Sequence, residues 1–158
     1  MNHALITAPC LVAAVLIVSG VAKVRDPAEV DAAFTSMGVP SALSSSRVRH
    51  VFPWVEFLIG VALVILPGIG AVVAAVGALV LMVAYTVLVI RALRRPAASC
   101  HCFGSLTSGK ITRLTVARNV TLVLLAALSI MDAQGGSSVF ARLCNPEVAP
   151  WLVAIAVA

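Results

Sequence analysis

Four apolar runs dominate the chain, at about residues 4–22, 51–66, 71–90 and 114–131, and each is continuous instead of alternating. Alternation with a period of two marks the strands of a membrane barrel, whereas unbroken runs of this length match helices that cross hydrocarbon with every backbone group bonded internally. The pattern therefore predicts an all-α integral membrane protein, a bundle of four transmembrane helices forming a single membrane domain over residues 1–158.

The polar positions punctuate that pattern. Lys23 and Arg25 close the first run, where long cations snorkel to the headgroups, and Asp26-Pro27 stops its helix. Residues 26–50 mix charge with Gly38-Val39-Pro40 and Ser44-Ser45-Ser46, which reads as a loop carrying one short surface helix. Pro53 is expected in the first turn of the second span, where its missing N–H is harmless. Pro67-Gly68-Ile69-Gly70 is a turn so tight that spans two and three must form an antiparallel hairpin. The apolar stretch at 151–158 is too short to cross a bilayer and reads as an interfacial tail or the start of a truncated fifth span.

Composition strengthens the membrane reading. Mean hydropathy is +1.11 and only 11% of residues are charged, too few to coat a water-facing surface. The first run lacks the basic flank of a signal peptide, and Cys10 precedes most of the apolar stretch, against a lipoprotein signal, so the run is expected to be a retained helix. The excess of 11 Lys+Arg over 6 Asp+Glu comes without the aromatic content or basic motif of a nucleic-acid binder. Topology explains it instead. All of the basic residues except Arg142 fall in or beside the loops after spans one and three, so the positive-inside rule predicts those loops in the cytoplasm and the N-terminus, the Pro67 turn and the segment after Met131 outside the cell membrane.

The residues best suited to chemistry are Cys100-His101-Cys102-Phe103-Gly104, flanked by Arg94, Arg95 and Lys110, with no acidic residue between Arg91 and Arg118. Nearby cations favour the thiolate, the form that attacks disulfides or binds metal. A disulfide between cysteines two apart needs a bent, strained backbone, and strained bonds exchange readily. Gly104 supplies a permissive residue for such a bend. Two other readings stand beside this one: inert cysteines in a loop, and a soft Cu(I) or zinc site built from Cys100, His101 and Cys102, although no second Cys or His pair has metal-site spacing. Glu56 lies within the second span, where an ionised carboxylate demands a partner; Lys23 is the natural one and Arg118 its rival, and a purely structural ion pair is an equal alternative to a functional role. Lys23, Glu56, Cys100, Cys102, Arg118 and Asn119 all map to one membrane face. Cys10 and Cys144 map to the other, as a second potential pair, with packing the stronger expectation for Cys10. His3 and His50 have no evident partners.

Taken together, Ser19-Gly20-Val21-Ala22-Lys23, Asp26-Pro27, Pro53-Trp54-Val55-Glu56, Cys100-His101-Cys102-Phe103-Gly104 and Arg118-Asn119 resemble the DoxX-like superfamily, and specifically the MauE type of redox-associated membrane protein, over about residues 11–131. The resemblance implies a four-helix membrane bundle serving thiol–disulfide or electron-transfer chemistry, often in the maturation of envelope proteins. His101 stands where that family often has a small residue, which would tune thiol reactivity or metal affinity.

The sequence thus leads to a redox-associated protein in which Cys100 and Cys102 cycle between dithiol and disulfide, supported by Lys23, Glu56, His101, Arg118 and Asn119, with a thiol-redox or envelope protein as partner. Nothing in it identifies a quinone, haem or flavin site or a self-sufficient enzyme. Two rivals remain: a non-catalytic accessory subunit packed into a larger membrane complex, such as a respiratory assembly, and a copper or zinc carrier.

Overall fold

The computed structural model describes residues 6–36, 45–93, 99–100, 109–110 and 113–143. Four helices are long and apolar enough to cross a membrane: α1 (Thr7–Arg25), α3 (Ser46–Ile65), α4 (Gly68–Leu93) and α5 (Arg113–Ala133). A short α2 (Pro27–Ser36) follows α1, the two-residue strands β1 (Ser99–Cys100) and β2 (Gly109–Lys110) lie between α4 and α5, and α6 (Val139–Leu143) follows α5.

The helix ends follow local chemistry. Asp26 breaks from helical geometry and Pro27 restarts the chain as the first residue of α2, the position where a missing N–H costs nothing. The Ser45 hydroxyl accepts from the Val48 backbone N–H at 3.4 Å and caps α3. This cap sets the start of α3 before the apolar run, so the helix carries Arg47, Arg49 and His50 beyond the hydrocarbon, and Pro53 falls inside it instead of in its first turn. The turn between α3 and α4 is tighter than the four residues expected, because α4 already begins at Gly68.

The four spans form a ring in which α1 packs on α3 and α5, and α4 packs on the same two helices, each neighbour antiparallel. Small residues let them approach. Ala74, Ala75, Ala78 and Met82 form one helical face of α4 against Val12, Leu16, Leu63, Leu122 and Ala126. Glycines bring α1 and α3 close: a Cβ at Gly20 would stand 2.9 Å from both the Pro53 carbonyl oxygen and the Phe57 nitrogen, and one at Gly60 would stand 2.8 Å from Ile17. Large side chains such as Leu11, Leu58, Val80 and Leu124 are exposed on the outside of the ring, the surface that contacts lipid.

Candidate functional site

Glycine at position 20 brings the backbones of α1 and α3 together one turn before Lys23, and this sets the geometry of a buried polar cluster. The Lys23 ammonium donates to both oxygens of Glu56, at 2.7 Å to Oε1 and 2.9 Å to Oε2, and to the Tyr85 hydroxyl of α4 at 2.7 Å. Its three N–H bonds are thereby all used. The Ser19 hydroxyl adds a longer bond to Glu56 Oε2, at 3.3 Å. The Glu56 side chain is wholly buried and that of Lys23 is 9% exposed.

Aromatic faces complete the enclosure. The Lys23 nitrogen lies 4.5 Å from the centroid of the Tyr85 ring and 5.6 Å from that of Phe52, and the two rings meet edge to face. Next to this cluster a cavity of about 20 Å³, room for one water, is lined by Ser19, Tyr85 and Asn119 among apolar neighbours. Asn119 is buried, and its amide donates to the Thr115 carbonyl at 2.9 Å, one turn back along α5.

Of the residues expected at this face, Lys23 and Glu56 meet as an ion pair and Asn119 faces the adjoining cavity. Arg118 is exposed on α5, and Glu56 takes Lys23 as its ion-pair partner. Ser19 and Tyr85 were not singled out from the sequence as members of the cluster; the available signal was that Tyr85 is the chain's only tyrosine, placed in an otherwise uncharged span.

At the same end of the bundle the chain leaves α4 and forms an antiparallel ladder in which Ser99 pairs with Lys110 and Cys100 with Gly109. The backbone of β1 runs beside α2. Cys100 therefore occupies a defined backbone position one ladder step from Lys110, whereas His101 and Cys102 lie outside the described residues.

The opposite end carries a second ion pair. Arg142 of α6 donates from Nη1 to Asp132 Oδ1 at 2.8 Å and from Nη2 to Oδ2, a bidentate arrangement that holds the guanidinium above its ordinary pKa. Cys10 is a free, half-buried thiol close enough to feel both charges. Cys144, its suggested companion, lies outside the described residues, as do His3 and the apolar tail at 151–158.

No curated protein and no solved structure matches this chain. The family model described as methylamine utilisation protein MauE matches residues 1–132, which takes in the first three spans, all but the last residue of the fourth, the Lys23–Glu56 pair and the Cys100 hairpin, and the chain belongs to that family.

Proposed function

We propose that this membrane protein is a thiol–disulfide exchange component whose working groups are Cys100 and Cys102, on a hairpin at the cytoplasmic end of the bundle. The observation that supports this most is the composition around the pair: Arg94, Arg95 and Lys110 flank Cys100 and Cys102, and no acidic residue lies between Arg91 and Arg118, a setting that favours thiolate. Membership of the MauE family supplies a methylamine-utilisation and redox context for the membrane protein as a whole.

In the oxidising direction one thiolate attacks a sulfur of a partner protein's disulfide, forming a mixed disulfide and releasing the partner's other sulfur as thiolate. The second cysteine then loses its proton and attacks the mixed disulfide. The chain ends as the Cys100–Cys102 disulfide and the partner as a dithiol, so two electrons pass between them. The Lys23–Glu56–Tyr85 cluster joins α1, α3 and α4 at that end and fixes the platform from which the hairpin projects.

Removing one cysteine removes the group that resolves the mixed disulfide. Cys100→Ser or Cys102→Ser should therefore accumulate a reducible, higher-mass adduct in acid-quenched cells, and the double variant should accumulate none. No adduct with either single variant, together with full function of the double variant, would replace this reading with that of a packing subunit. Metal bound stoichiometrically by the wild-type chain and lost from the double variant would replace it with that of a carrier.

A further inference from the structure

Asparagine is costly inside a membrane span, because its amide must leave water and a helix interior offers it little in return. Asn119 nevertheless faces inward on α5, 5% exposed. The Thr115 carbonyl takes one of its two side-chain N–H groups, which also fixes which end of the amide is nitrogen. That is its single side-chain hydrogen bond among the described residues, so the amide oxygen still needs a donor. Buried and left bare, such an oxygen destabilises the fold.

Tyr85 on α4 has the complementary need. Its hydroxyl oxygen accepts from Lys23, and since an ammonium only donates, the phenolic O–H stays available to give a bond of its own. No acceptor for it stands among the described residues.

Both side chains line the cavity of about 20 Å³ where α1, α4 and α5 meet. A water needs about 10–15 Å³ of such space and two to four polar partners. The space is there, and Tyr85, Asn119 and Ser19 make the polar wall. Val15, Leu16, Met82 and Leu122 form the rest, and a hollow lined by those four alone would stay dry.

We propose that this cavity is an internal water site, in which one water accepts from the Tyr85 O–H and donates to the Asn119 side-chain oxygen. The direct bonds of the cluster join α1, α3 and α4. The water extends them to α5, so one polar network reaches all four spans and Asn119 acts on the Lys23–Glu56 pair through Tyr85 as a positioning residue. The site is independent of the thiol chemistry proposed above and stands or falls separately from it.

A crystal structure of the full chain grown in lipid, at a resolution that orders water, tests this. It should show one peak about 2.7–3.2 Å from both the Tyr85 hydroxyl oxygen and the Asn119 side-chain oxygen. A dry cavity between ordered side chains, a direct Tyr85–Asn119 bond that closes it, or a peak out of reach of either side chain would overturn the proposal. Unfolding equilibria in detergent give an independent reading. Tyr85→Phe removes the O–H, and Asn119→Leu removes the acceptor and fills the space. The loss of folding constant caused by Tyr85→Phe should be at least about twofold smaller in the Asn119→Leu background than in the wild type, the lower end of coupling within one hydrogen-bond network. Losses that simply multiply would refute the bridge, and the wild-type crystal decides the matter even if a variant does not fold.

Discussion

Replacing Lys23 with methionine keeps the length and apolar stem of the side chain while removing the cation that, among the described residues, is bonded to Glu56. The carboxylate, wholly buried, would keep a single 3.3 Å bond from Ser19. Breaking a buried ion pair in this way costs about 3–5 kcal/mol. A separate bound agrees with that figure. A buried glutamate can escape its charge by taking a proton, and for an ordinary glutamate of pKa about 4.3 this costs roughly 3.7 kcal/mol at pH 7, at 1.36 kcal/mol per pH unit. In the size class of 150–250 residues each kcal/mol moves Tm by about 2–4 °C, so a penalty of about 3–4 kcal/mol should lower Tm by about 6–16 °C in detergent melts. The proton route also fixes the sign with pH. At pH 5 the same bound falls to about 1 kcal/mol, so the deficit of Lys23→Met should shrink in acid and grow towards neutrality. In a double-mutant cycle, Lys23→Met with Glu56→Leu should melt closer to the wild type than Lys23→Met alone, because no unpaired charge remains. A single variant melting within about 2 °C of the wild type, which is under ~1 kcal/mol by the same scaling, would refute the reasoning. So would a deficit that deepens as the pH falls.

Three further outcomes follow from the same geometry. Glu56→Gln should be milder than Glu56→Leu in the same melts, since the amide oxygen still accepts from Lys23 whereas leucine leaves the ammonium with Tyr85 alone. Gly20→Val should destabilise by about 1–3 kcal/mol, read as a fall in Tm, because its side chain meets the backbone of α3 at Pro53 and Phe57 and neither helix can yield without separating Lys23 from Glu56. At the other end, Asp132→Leu should cost about 1–3 kcal/mol by denaturant titration, the loss expected when a partly buried guanidinium loses its charge-assisted hydrogen bonds, and Asp132→Leu with Arg142→Leu should recover part of it.

The spans were legible in the sequence because hydrocarbon imposes a length and an apolar composition that nothing else in the chain mimics. Their ends were less so. The apolar run marks the hydrocarbon boundary and not the helix boundary, so α3 begins at Ser46 where the run suggested residue 51, and the same shift moves Pro53 from the first turn to the interior. The Lys23–Glu56 pair could be anticipated from depth alone, since two opposite charges lay near one end of adjacent spans. Tyr85 and Ser19 could not. Their place depends on the order of helices around the ring, with α4 and α1 both touching α3, and hydropathy carries no such information. The Asp132–Arg142 pair was hidden for a related reason: both residues fell in a stretch read only as polar, and it is the α6 turn that folds Arg142 back over the end of α5. The short ladder at Cys100 has too few residues to leave a periodic pattern.

The central claim, that Cys100 and Cys102 interconvert between dithiol and disulfide, is tested most directly by counting their free thiols in native membranes. In a chain carrying Cys10→Ser and Cys144→Ser, acid-quenched cells treated with a maleimide-linked polymer report each free thiol as a step in gel mobility. The account predicts a population without added mass that gains two steps after reduction, and a shift between the two populations when cells are exposed to a thiol oxidant or reductant. Two fully labelled thiols under every condition would contradict it.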